Sequence, residues 1–112
     1  MRSGRVDLDS IVADFEKDSA LDYIGLWELV GAVTKEAEEK DDENIRRLTF
    51  TLLRKMLARG FRAGGFTQTR KWELWLGQNP DHVIRRIEAE WDALGREPNI
   101  GDIVWFERSE TN

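Results

Sequence analysis

Cysteine is absent from the chain. Disulfides, thiolate metal sites and a cysteine nucleophile are excluded together, and the fold must be held by its core. Histidine occurs once, at His82. No companion residues form a metal-ligand set with it, and no nucleophile–base pair can be named around it. A phosphate-cradling glycine loop is missing, because "RAGGF" has too few glycines at the wrong spacing. The acidic stretch from Glu36 to Glu43 lacks the spacing and central glycine of a calcium loop. These absences predict a protein without metal or cofactor, and one that is not an enzyme. The longest apolar stretch, "IGLWELVGAV", contains Glu28 and falls far short of the ~20 residues that span a bilayer. The start, "MRSGRVDLDS", has no apolar run of the signal-peptide kind. A cytoplasmic protein that does not enter membranes is expected.

One further absence is local. From Arg46 to Lys71, "RRLTFTLLRKMLARGFRAGGFTQTRK" carries eight basic residues and no acidic one. The whole chain is acidic, with 22 Asp+Glu against 17 Lys+Arg and a net charge of −5. The residues outside the segment therefore carry nine bases and all 22 acids.

What is present suffices for one domain. The chain has 112 residues, 40% of them hydrophobic, with five Trp and five Phe. A single core can form at this size, burying roughly two thirds of the unfolded surface. Leu8, Ile11, Val12 and Phe15 recur at i, i+3, i+4 and i+7, one face of a short helix that Asp7 caps. A second helix is expected over "SALDYIGLWELVGAVTKEAEE". Ser19 and Asp22 resemble a capping box there, and apolar residues lie on most sides, as in a central helix. In "DDENIRRLTFTLLRKMLARG", Ile45, Leu48, Leu52 and Met56 form the stripe of a third helix. Asp41 or Asp42 starts it and a left-handed Gly60 ends it. Gly64-Gly65 reads as the turn of a hairpin with arms at 61–63 and about 70–76. Of the pair Trp72 and Trp75, one is expected in the core and the other partly exposed. Asn79 and Pro80 open a fourth helix with Ile84, Ile87, Trp91 and Leu94 inside, closed by Gly95. "GDIVWFER" predicts a strand at Ile103–Phe106, with Trp91 and Trp105 in the core.

These elements predict an α+β fold, mainly helical: three helices, a hairpin, a fourth helix and a C-terminal strand. A single compact domain is expected over 8–107, with flexible ends at 1–7 and 108–112. Helices two and three followed by a hairpin resemble a winged helix-turn-helix. That resemblance implies DNA binding through Arg47, Arg54 and Lys55 on the third helix and Arg62, Arg70 and Lys71 on the wing. The competing reading is local. Acids at the start and bases at the end of the third helix complement its dipole. Asp42→Arg46 and Glu43→Arg47 would be favourable i, i+4 pairs. Only Arg62, Arg70 and Lys71 then lack an explanation.

The segments "DYIGLWELVGAV", "LLRKMLARGFRAGGF" and "IEAEWDALGREPNIGDIVWF" resemble a group of small, uncharacterised bacterial proteins of similar length. The resemblance covers roughly Leu8 to Phe106. Some similarly small acidic proteins are immunity proteins that neutralise toxins. The expectation is a protein-binding module whose surface Glu36, Glu39, Asp41, Asp42 and Glu43 would meet a basic partner such as a nuclease toxin, with DNA binding as the alternative.

Overall fold

The computed structural model describes residues 6–20, 22–38 and 40–108. Among them the chain forms α1 (Leu8–Asp18), β1 (Ile24–Gly25), α2 (Leu26–Glu36), α3 (Asp42–Ala58), β2 (Phe61–Phe66), β3 (Trp72–Leu74), α4 (Pro80–Leu94) and β4 (Trp105–Arg108). The four helices and one antiparallel sheet make an α+β fold. No described helix is long and apolar enough to cross a membrane. Asp7 caps α1 and Arg108 ends β4. The remainder of the termini expected to be flexible, residues 1–5 and 109–112, lies outside the described residues.

Local capping chemistry sets three of the four helices. The Asp7 carboxylate accepts from the Ser10 N–H at 3.1 Å, and that of Asp41 from the Asn44 N–H at 2.8 Å. The Asn79 side chain accepts from the N–H groups of Asp81 and His82. Each cap satisfies donors that have no partner inside the helix. Gly60 and Gly95 lie in the left-handed region, with φ of 97° and 74°, just past α3 and α4.

The second helix begins seven residues later than expected. Ser19 closes α1 rather than opening α2, and its hydroxyl donates to the Glu16 carbonyl. Ile24 and Gly25 instead pair with Phe106 and Trp105 of β4. The reciprocal carboxylate is Glu28, which accepts from the Gly25 N–H at 3.0 Å. Tertiary pairing of a β-branched residue has overridden a plausible local cap. The central helix is α3, not α2: it touches α1, α2, α4 and β2, and Leu52, Leu53 and Met56 are fully buried.

The sheet order is β1-β4-β2-β3, so the last strand in sequence lies between the first two. Gly64 and Gly65 are inside β2, paired with Leu74 and Glu73, and do not form the turn. A Cβ on Gly64 would sit 2.6 Å from the Glu73 carbonyl oxygen and 2.8 Å from the Trp72 ring. The glycine is needed for close approach across the strands, not for reversal. The chain reverses over Thr67–Lys71. The Arg70 N–H donates to the Thr67 carbonyl at 2.8 Å, and the Thr67 N–H to the Lys71 carbonyl at 2.9 Å. Beyond Leu74, Gln78 extends the edge of the sheet. Its side chain accepts from the Ala63 N–H at 3.0 Å and donates to the Ala63 carbonyl at 2.8 Å.

The final strand starts at Trp105, two residues later than expected, because Ile103 has φ of 68° and breaks the extended run. The pleat sorts side chains onto two faces. Ile24, Phe61, Ala63 and Phe106 are buried in the helix-covered core. Gly25, Gly64, Phe66, Trp72 and Trp105 alternate with them and face the other way.

Candidate functional site

Five of the eight cations of the acid-free segment are neutralised from outside it. Arg46 meets Asp92 at 2.8 Å, Arg54 meets Asp81 at 3.0 Å, and Lys55 meets Asp9 at 3.1 Å. Arg59 meets Glu16 at 3.0 Å, and Arg62 meets Glu107. The expected i, i+4 pairs are not made. Arg46 also lies over the Phe50 and Trp91 rings, and Arg47 donates to the Asn44 side chain. Cross-element pairing wins because α3 and β2 run through the middle of the fold while the acids lie on α1, α4 and β4. Most of these side chains are exposed, so each pair contributes roughly 0–1 kcal/mol.

The residues of the winged-helix reading thus divide. Arg54, Lys55 and Arg62 hold carboxylates, which a phosphate would have to displace. Arg47, Arg70 and Lys71 are exposed and have no carboxylate partner among the described residues. The acidic candidates Glu36, Asp41, Asp42 and Glu43 are exposed around the α2–α3 connection, and Asp41 is engaged as a cap. Glu39 lies outside the described residues. Asp42 and Glu43 border a groove of about 400 Å³ whose wall includes Ile45 and Trp91.

Sequence reasoning missed a third surface, on the outer face of the sheet. Trp105 is not in the core but half-buried on that face. The Trp72–Trp75 pair differs from the expectation, since both are half-buried and neither is a core residue: Trp75 packs against the core under Arg86, and Trp72 faces outward. Tyr23 and Trp72 stack with ring centroids 4.4 Å apart. Phe66, 43% exposed, stands against Tyr23, Trp72 and Trp105 at 5.0, 5.3 and 5.5 Å. Trp27 continues the row, 4.9 Å from Trp105. None of these five rings belongs to the core or packs against it.

Two glycines seat this layer. Gly64 lies beneath Trp72, and a Cβ on Gly25 would fall 1.7 Å from the Trp27 ring. The Trp72 indole N–H is buried without a hydrogen-bond partner among the described residues, an arrangement that costs about 1–3 kcal/mol. The alternation that marks this face belongs to the folded strands, since neighbouring apolar residues point to opposite faces. Trp105 lies between buried Val104 and Phe106, and Tyr23 precedes buried Ile24.

Close to this face, Asp102 is held by the Asn99 N–H and by Arg96 at 2.9 Å. Those contacts, the backbone bond first, place its carboxyl below the ordinary Asp value. No protein-family model matches the chain, nor does any curated protein or solved structure.

Proposed function

We propose that the chain is a non-enzymatic protein-binding module that docks its partner on the outer face of the sheet. The observation that carries this reading is the row of Trp27, Trp105, Phe66, Trp72 and Tyr23, half-exposed and separate from the core. Tryptophan, tyrosine and arginine supply most of the energy at protein interfaces, because large rigid surfaces are desolvated at small entropic cost. Burying a large aromatic side chain stabilises by about 1.5–3 kcal/mol, so a partner covering several of these rings gains substantially.

A photo-crosslinking residue placed at position 66, 42 or 54 tests the reading in extract of the source cells. Capture of one discrete protein at 66, competed by unlabelled protein and absent at 42 and 54, is the expected result. Equal labelling at all three positions, or none at 66, would refute it.

The acidic surface supports a second reading, an immunity-like protein that neutralises a basic toxin. Glu36, Asp42 and Glu43 are exposed without ion-pair partners among the described residues, so they are open to a cationic partner. Capture at 42 alone would favour it. Binding of random duplex DNA that falls steeply with salt would favour the winged-helix alternative.

A further inference from the structure

Beside Phe66 and Trp105 the outer face opens into a groove of about 530 Å³, lined also by Arg70 and Ile103. Two residues of this groove break a local rule. Among the described residues only Arg70 and Ile103 combine a side chain with positive φ, 64° and 68°, and both line it. Arg70 is the fourth residue of the connection 67–71 that joins β2 to β3, at a position where left-handed backbone favours glycine. A β-branched residue such as Ile103 is rarer still in that region. Backbone held this way clusters at ligand sites.

Charge gives the groove a sign. Arg70 and Lys71 are exposed and have no carboxylate partner among the described residues. The nearby acids are committed or turned away. Glu107 holds Arg62 and Asp102 holds Arg96, while Glu73 pairs with Gly65 on the other pleat. Arg70 and the aromatic wall of Phe66 and Trp105 therefore face the same occupant.

We infer that the groove receives an extended, acidic and apolar segment of a partner protein. An apolar side chain enters between Phe66, Ile103 and Trp105, and a carboxylate binds Arg70. This rests on the outer face being the docking surface. Single-stranded nucleic acid fits less well. Phe66 stands edge-on to Tyr23 and Trp105, at 89° and 83°, so these rings do not form one coplanar platform. Two free cations on a chain of net charge −5 also provide little for a phosphate backbone.

Three probes test the assignment through the intrinsic tryptophan fluorescence of the full chain. They are an eight-residue peptide alternating leucine and glutamate, its leucine–lysine counterpart, and an eight-nucleotide oligothymidylate. The glutamate peptide should bind, more weakly as salt rises. Arg70→Gly combined with Lys71→Ala should weaken it about tenfold while Arg47→Ala leaves it unchanged. The glycine suits the left-handed loop position, so the melting temperature of the double variant should not fall. Tighter binding of the lysine peptide or the oligonucleotide, or no binding by any probe at millimolar concentration, would overturn the proposal. Phe66→Ser separates the two claims. If it abolishes binding of the glutamate peptide while the Arg70/Lys71 variant does not, the docking face stands and its anionic occupant falls. If Phe66→Ser changes nothing, the docking face itself falls.

Discussion

Substituting alanine at each of two adjacent glycines separates a strand from a turn. At Gly64 the new methyl carbon would lie 2.6 Å from the Glu73 carbonyl oxygen and 2.8 Å from two carbons of the Trp72 ring. The carbonyl belongs to the paired strand and cannot retreat without opening β2 from β3. The ring can tilt, but only by leaving its contacts with Tyr23 and Phe66. Overpacking of this kind costs about 1–3 kcal/mol, and a displaced aromatic pair roughly 0.5–1.5 kcal/mol more. The restricted unfolded chain returns about 0.4–1 kcal/mol. The net loss is about 2 kcal/mol, or roughly 8 °C of melting temperature for a domain of this size. At Gly65 nothing lies within 4 Å of the new atom, and Gly65→Ala should be neutral or slightly stabilising. Thermal melts followed by circular dichroism, with near-ultraviolet signal for the tryptophans, make the comparison. A type I′ turn at Gly64-Gly65 needs positive φ at both residues, so equal losses for the two variants would refute the strand assignment and with it the seat of Trp72.

Gly31 lies inside α2, exposed, with open space where a Cβ would be; Gly31→Ala should raise stability by about 1 kcal/mol in urea denaturation. Gln78→Leu should cost about 1–3 kcal/mol in the same assay, because the Ala63 N–H and carbonyl lose their side-chain partners. Asp102 titrates below 3.8 in the folded protein, so its contribution is complete above the unfolded value and is lost as pH falls through the lower folded value. The difference in melting temperature between wild type and Asp102→Asn should therefore hold steady above about pH 5 and shrink below 3.8; a constant difference down to pH 2 would contradict the hydrogen bonds to Asp102.

Sequence was most informative where structure is decided within four residues. Asp7, Asp41 and Asn79 bond backbone groups two or three positions on, and Gly60 and Gly95 end their helices by conformation alone. It misled where a distant strand decides. Ile24 looked helical until β4, some 80 positions away, offered it a ladder, and Gly64 looked like a turn until Trp72 lay across it. The candidate surface suffered in the same way. "DIVWF" reads as a uniformly buried run, and only the pleat assigns Trp105 to one face and Phe106 to the other. Arg46 had a plausible neighbour four residues away in Asp42, yet Asp92, brought from α4 by tertiary packing, took it.

The charge sorting of the chain also sets an order for its synthesis. The stretch 46–71 cannot neutralise itself in any conformation, since all its charges have one sign. When it leaves the ribosome, Asp9 and Glu16 have already been made, so Lys55 and Arg59 can find them at once. Arg54, Arg46 and Arg62 must wait for Asp81, Asp92 and Glu107. The strand that carries Glu107 also fills the gap between β1 and β2. A nascent chain halted before that point would present an open sheet edge beside an Arg62 without its acid, and the arrival of β4 would close both together.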